Sequence, residues 1–280
     1  MQGKLYLCAT PIGNLEDITY RVVNTLKKVD LIAAEDTRNS IKLLNHFDIK
    51  KPMTSYHEYN KVDKAKVLVD KMLSGESIAL ITDAGTPGIS DPGEELVRQA
   101  AEAGITVTSL PGAAACITAL TISALSTRRF AFEAFLPTDK KERQFVFEEM
   151  KKETRTIIMY EAPHRLKKTL VELENILGNR KISICRELTK RYEEAFRTTI
   201  IDAVKYYDVN EPRGEYVLVI EGLEREKLIE DMQKQWDDIS IKEHYDMYIN
   251  KGMNDKEAMK VVAKDRGISK RDVYSELKIN

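Results

Sequence analysis

Apolar positions recur along the first 125 residues in two alternating rhythms. Short apolar or small runs (Lys4–Cys8, Leu31–Ala34, Ile78–Ile81 and 105–110) alternate with stretches whose apolar residues return every three or four positions. Tyr20, Val22, Val23, Leu26 and Val29 form one such face, and Val67, Leu68 and Met72 form another within Lys61–Leu73. Further helices are predicted near 41–47 and over 94–102, and the almost uncharged stretch 113–125 predicts a buried helix. Short apolar strands between helices predict βαβ units, with a parallel sheet covered on both faces.

The texture changes from Phe130. Strands predicted over 130–136, 156–160, 182–186, 195–201 and 215–220 are β-rich and partly alternating, with helices over Lys140–Lys152 and 166–177 between them. Residues 223–280 hold no convincing strand. Within them 254–276 reads as helix, turn at Gly267 and helix, with Asn254 and Ser269 as N-caps. The expected organisation is α/β: a parallel-sheet domain over 1–125, a mixed-sheet domain over 126–222 and a small helical domain over 223–280.

Composition narrows the class. The 280 residues carry 44 Lys plus Arg against 45 Asp plus Glu, so a wholesale basic coat for nucleic acid is excluded while a local basic patch is not. No run is long and apolar enough to span a membrane, and the opening apolar run is too short for a signal peptide. Cys8, Cys116 and Cys185 lie far apart in apolar runs and read as buried thiols of a cytoplasmic protein.

Glycine and proline placement gives the first chemical signal. Loops 10–14, 83–93 and 111–113 each follow a predicted strand at the same end of the sheet, which predicts one cleft. Tight turns alone would need less chain than 83–93 provides. Neither GxGxxG nor GxxxxGK[ST] is present, and no HExxH, CxxC or His pair suggests a metal site. Polar clusters follow other strands, Glu35, Asp36 and Arg38, then Glu161, His164 and Arg165, and Arg186 and Glu187 with Thr189 and Lys190, while Tyr56, His57 and Glu58 sit in a loop-like stretch beyond the second strand. Each alone fits capping or surface ion pairing, but four at strand ends favour a polar site. Between Lys251 and Arg271 the chain has seven basic and three acidic residues, a local charge of +4 that suits either a solvated face or a phosphate backbone.

Taken together, ATPIGNLEDIT (9–19), LIAAEDTR (31–38), ITDAGTPGISDPG (81–93), LPGAAA (110–115), YEAPHR (160–165), RELTK (186–190) and RGEYVLVIEG (213–222) resemble, in order and spacing, a known family. It is that of the small-subunit (16S) ribosomal RNA 2′-O-ribose cytidine methyltransferases, a branch of the tetrapyrrole methylase superfamily. The superfamily's corrin and porphyrin enzymes carry a shorter loop where this chain has 83–93. One departure is Ala113-Ala114, where a serine is common in the superfamily.

The resemblance implies a tetrapyrrole methylase-like homodimer that binds S-adenosylmethionine, without a metal, and methylates a cytidine ribose in the decoding region of the small ribosomal subunit. Carried onto this chain, it implies cofactor contacts from Pro11, from Asp83, Ala84, Gly85, Ile89 and Ser90, and from Pro111, Gly112 and Ala113. Tyr160, Glu161, Ala162, Gly214, Glu215 and Tyr216 are the expected neighbours from the second domain. The acceptor side is expected from Glu35, Asp36, Arg38, His57, Glu161, His164, Arg165, Arg186 and Glu187, with Glu35, Glu161 or His164 handling the hydroxyl proton and Arg38 and Arg165 holding phosphates. The rival readings are a tetrapyrrole C-methyltransferase and a non-catalytic ribosome-binding protein with a methylase core.

Overall fold

Five parallel strands carry the N-terminal rhythm: β1 (Lys4–Cys8), β2 (Leu31–Ala34), β3 (Met53–Ser55), β4 (Ile78–Ile81) and β5 (Thr106–Leu110), in the order β3-β2-β4-β1-β5. The structure is a computed structural model that describes residues 2–279. Successive side chains leave a strand on opposite faces. Leu5, Leu7, Leu31, Ala33, Ile78 and Leu80 meet Leu68 and Met72 of α3 (Lys61–Leu73) and Leu96 of α4 (Gly93–Glu102). Their neighbours Cys8, Ile32, Ala34, Ala79 and Ile81 meet Val22 and Leu26 of α1 (Tyr20–Lys28) and Leu44 of α2 (Thr37–His46). Asp36 accepts from the Arg38 N–H and starts α2 four residues before the predicted helix. Strand β3 was not predicted, because three residues after a proline carry no readable period.

The second sheet contains β6 (Phe130–Phe135), β7 (Thr156–Glu161), β8 (Lys181–Arg186), β9 (Glu194–Thr199) and β10 (Tyr216–Ile220), ordered β6-β7-β10-β8-β9. Only β6 and β7 pair in parallel, so the sheet is mixed as expected. One face is covered by α6 (Lys140–Lys152), α7 (Pro163–Leu177) and α8 (Ile200–Val209). Helix α5 (Ala115–Ile122) covers the other, with Cys116, Ala119 and Leu120 against Ile158, Cys185, Val217 and Val219. The predicted strand 195–201 ends at Thr199, whose hydroxyl accepts from the Asp202 N–H and starts a helix that the β-branched and aromatic run IIDAVKYY conceals. All three cysteines are buried and unpaired, and burial raises the Cys8 thiol to about 12.

Both sheets lie in one compact unit, residues 1–150 with 155–221; residues 151–154 and 222 onward form a second. Among the described residues no helix is long and apolar enough to cross a membrane. The second unit consists of α9 (Arg225–Lys234), α10 (Ile241–Asn250), α11 (Asp255–Arg266) and α12 (Lys270–Ile279). Ser240 and Glu243 form a capping box, Asn254 caps α11, Gly267 ends it in the left-handed conformation, and the Ser269 hydroxyl accepts from the Asp272 N–H. Its core is small, centred on Val262, Ala263 and Val273.

Polar packing supplements that core. Fully buried His244 stacks on Trp236 with ring centroids 3.6 Å apart. Its Nδ1 accepts from Arg266 Nε at 3.2 Å, which leaves the ring proton on Nε2, facing Asp265 at 3.5 Å. Burial and the Arg266 charge hold His244 below the usual histidine range, so the ring is neutral. Tyr248 donates to Asp265 at 2.6 Å, and this bond together with burial raises its phenol to about 12. A raised pKa gives stability that is complete below the unfolded value of about 10 and is lost as pH rises toward 12. Trp236 is the sole tryptophan, so its fluorescence reports unfolding of this unit. The second unit should lose stability between about pH 10 and 12, and Tyr248→Phe should lower its neutral-pH stability by about 1 kcal/mol while flattening that alkaline loss.

Candidate active site

The strand register sets the order of groups along the carboxyl edge of the parallel sheet. From β3 to β5 it presents His57, Glu35, Thr82 with Asp83, Thr10 with Pro11, and Pro111 with Gly112. The three expected cofactor loops therefore follow three neighbouring strands. Thr10 and Gly85 exchange two main-chain hydrogen bonds, at 2.9 and 3.1 Å, and form an isolated antiparallel bridge. Thr86 donates its hydroxyl to the Ala113 carbonyl at 2.8 Å. Asp91 holds the long loop from within by accepting the N–H groups of Gly88 and Gly93.

Close approach fixes the third loop. A Cβ on Gly112 would lie 2.5 Å from the Ala9 Cβ, so space alone excludes a side chain there. The outer parts of the loops (Asp83, Ala84, Ile89, Ser90, Pro111 and Gly112) are exposed. Asp83 uses one carboxylate oxygen to accept from Asn39 Nδ2 at 3.2 Å. Open main chain beside a partly committed carboxylate fits an organic cofactor bearing ammonium and hydroxyl groups. Among the described residues no cluster of His, Cys, Asp and Glu could hold a metal ion.

The expected acceptor groups are divided. Glu35 accepts from the Thr82 hydroxyl at 2.7 Å, which with Asn39–Asp83 joins the β2 end directly to the cofactor loops. Asp36 is closed on Arg38, whose guanidinium holds the Asp36 carboxyl down at about 2. Arg38 remains 88% exposed and presents its other edge outward. In the β3 loop, Asn60 Oδ1 accepts from the His57 N–H and Asn60 Nδ2 donates to His57 Nε2, so the ring proton sits on buried, unpartnered Nδ1. His57 is thus held by Asn60 with its ring N–H turned inward.

In the second sheet, Tyr160 faces α5, packed against Phe132 and Phe135, and burial raises its phenol pKa. Glu161 and Arg186 flank Tyr216 across the sheet and point to the opposite face. The Glu161 carboxylate is fully buried and committed: Oε1 accepts from the Ala162 N–H at 2.9 Å and faces Arg165 at 3.3 Å, and Oε2 accepts from Thr169 at 2.5 Å. Ala162 has no capping side chain, so Glu161 anchors the start of α7 from the preceding position. Arg165 also donates to the Leu136 carbonyl, and His164 is exposed. Arg186 pairs with Glu194 at 2.9 Å beside a cavity of about 280 Å³ walled by Tyr206, Tyr207 and Tyr216. Glu187 accepts from the Glu215 N–H and from Lys190. Sequence reasoning included Thr10, Thr82 and Thr86 only as members of loops and motifs and did not name Asn39, an amide in the first turn of α2.

Gly112→Ala should destabilise the chain by about 1–3 kcal/mol through overpacking against Ala9. Adding Ala9→Gly should restore most of that loss, read from denaturant midpoints of the single and double variants.

The chain matches the family described as Tetrapyrrole (Corrin/Porphyrin) Methylases over residues 4–204. It is 52% identical to a Ribosomal RNA small subunit methyltransferase I of Halalkalibacterium halodurans, covering 98% of this chain and 94% of the relative. It is 48% identical to the protein of that name from Bacillus subtilis, covering 97% and 93%. Among solved structures, diphthine synthase aligns with a TM-score of 0.64 at 11% identity, covering 81% of this chain and 94% of that one. Uroporphyrin-III C-methyl transferase from Thermus thermophilus complexed with S-adenyl homocysteine aligns with a TM-score of 0.55 at 16% identity, covering 78% and 97%. The chain belongs to the tetrapyrrole methylase family, alongside the ribosomal RNA small subunit methyltransferase I proteins.

Proposed function

We propose that this chain is an S-adenosylmethionine-dependent methyltransferase of small-subunit (16S) ribosomal RNA, acting on a cytidine 2′-hydroxyl in the decoding region. The observation that carries the reading is the near full-length identity to relatives named for that RNA, over a chain whose three loops are hydrogen-bonded into one edge. The proposed setting is a cytoplasmic homodimer. In functional terms, 1–125 supplies the cofactor loops, 126–222 completes the cleft and 223–280 contacts RNA.

When bound, the cofactor supplies a methyl group already activated for transfer. Pro11, Asp83, Ala84, Gly85, Ile89, Ser90, Pro111, Gly112 and Ala113 hold it from the first sheet, and Tyr160, Ala162 and the main chain of 214–216 from the second, the Tyr216 ring itself being buried on the opposite face. A ribose hydroxyl is a poor nucleophile at neutral pH, so a proton acceptor beside the loops is required. Glu35 suits that role better than Glu161: one Glu35 oxygen is bonded to Thr82 next to the cofactor loop, whereas both Glu161 oxygens are taken. His57 stands at the neighbouring β3 end, where its ring is held by Asn60. Arg38, exposed and oriented by Asp36, holds a phosphate.

The test is methyl transfer from labelled cofactor to small subunits that lack the modification, with the label mapped by nuclease digestion. Label in 2′-O-methylcytidine is expected; label on a tetrapyrrole and none on RNA would overturn the reading. Glu35→Gln should lower turnover by about 10²- to 10⁴-fold with cofactor affinity unchanged.

The second unit supports RNA contact through one stripe. Lys256, Lys260 and Lys264 recur every four residues on α11 and are all exposed, while Arg266 is consumed by His244 and the carbonyls of Ile239 and Ser240. Replacing the three lysines with glutamine should reduce the salt slope of RNA affinity by about 2, as three lost single-strand phosphate contacts require. An unchanged slope removes the stripe from the interface.

A further inference from the structure

Residues 187–190 occupy a conformation that local preferences oppose. Glu187 and Thr189 both lie in the left-handed region, at φ 51° and 60°, and Thr189 is β-branched. Such backbone persists only where its surroundings impose it. Here the surroundings are two glycines from opposite sides of the cleft.

On one side is the β1 loop. The Thr189 hydroxyl accepts from the Asn14 N–H at 3.0 Å. A Cβ on Gly13 would fall 2.8 Å from the Leu188 carbonyl oxygen and 2.8 Å from the Thr189 hydroxyl, so only glycine admits this approach. On the other side is the turn into β10. Glu187 and Glu215 exchange N–H···O bonds at 3.0 Å, one to the Glu187 side chain and one to the Glu215 carbonyl. The Glu187 carboxylate fills the space where a Gly214 Cβ would lie, 2.6 Å from its Oε1, and Gly214 itself has φ +81°. Lys190 then joins Glu187 at 3.0 Å to Glu215 at 2.7 Å.

We infer that Glu187 and Thr189 are positioning residues: they lock the Gly13–Asn14 loop to the Gly214–Glu215 turn and so set the spacing of the two halves of the cofactor cleft. This rests on the cofactor reading above. It gives Glu187 a role away from the acceptor, since its carboxylate is spent on Lys190 and Glu215. Burial alone would raise the Glu187 pKa, but the Lys190 ammonium and the Glu215 N–H outweigh it and hold the carboxyl below its ordinary value. The carboxylate's share of the lock is accordingly complete above the usual carboxylate range and is lost as pH falls through the lowered value, while the Asn14–Thr189 bond and the main-chain Glu187–Glu215 bond do not titrate.

The test uses the full chain, with S-adenosylhomocysteine as the probe in isothermal titration and amide exchange at Asn14 as a readout independent of any ligand. Thr189→Val should speed Asn14 exchange and weaken the probe about three- to tenfold, the worth of one hydrogen bond. Its melting temperature should stay near that of the unaltered chain, and the loss should appear in KM for the cofactor more than in kcat. Thr189→Ser, which keeps the hydroxyl and drops the methyl, should restore the affinity. Gly13→Ala provides a second, steric break of the same contact and should weaken the probe at least as much. Unchanged probe affinity in Thr189→Val, or equal losses in the Val and Ser variants, would overturn the assignment alone. Failure of the unaltered chain to bind the probe would overturn the cofactor reading and this assignment with it.

Discussion

A parallel sheet buried on both faces leaves only its ends for chemistry. In the first sheet, Leu5, Leu7, Ile78 and Leu80 face α3 and α4, while Cys8, Ile32 and Ile81 face α1 and α2. Strands β2 and β4 are buried along their whole length, so polar function at the middle of the sheet falls to the loops after the strands. The strand order then decides which loops are neighbours. With β4 and β1 central, the loops after residues 8, 81 and 110 are adjacent, and those after 34 and 55 extend the same edge to one side. The proposed cofactor and acceptor regions follow from that order, and Thr82–Glu35 and Asn39–Asp83 join them.

The second sheet obeys the same alternation with a different consequence. It is covered on one face by α6, α7 and α8 and on the other by α5, so neighbouring residues at its strand ends serve opposite sides. Tyr160 and Glu161 are adjacent in sequence, yet one meets α5 and the other anchors α7. A motif such as YEAPHR therefore mixes a residue near the cleft with residues that build its support. A carboxylate that is fully buried but accepts three polar contacts is stable as a structural anchor and poorly placed to take a proton from substrate.

Four of the five strands of the first sheet were legible as short runs, mostly apolar, closed by turns. The three loops were legible because glycine and proline crowd them. What stayed hidden had physical reasons. Strand β3 is three residues long, and α8 is written in residues that favour strands, its start fixed by the single hydroxyl of Thr199. The sorting of Glu35 from Glu161 depends on which oxygens are already bonded, and no spacing in the chain encodes that. The 187–190 loop was visible as charge but not as conformation, because neither Glu187 nor Thr189 advertises a positive φ the way glycine does.

Charge must also be read after packing. The tail's excess of basic residues suggested a phosphate-binding surface, but Arg266 belongs to the interior of its unit, donating to a buried neutral histidine and two carbonyls. Six of the seven basic residues remain for solvent, Lys251, Lys256, Lys260, Lys264, Lys270 and Arg271, and three of them stand at four-residue spacing along α11. A chain with a net charge of −1 has no long-range attraction to RNA as a whole. Its affinity for a polyanion must come from such local basic patches. On the proposed reading, specificity then falls to the edge of the first sheet, where Glu35, His57 and Arg38 follow the strands beside the proposed cofactor loops.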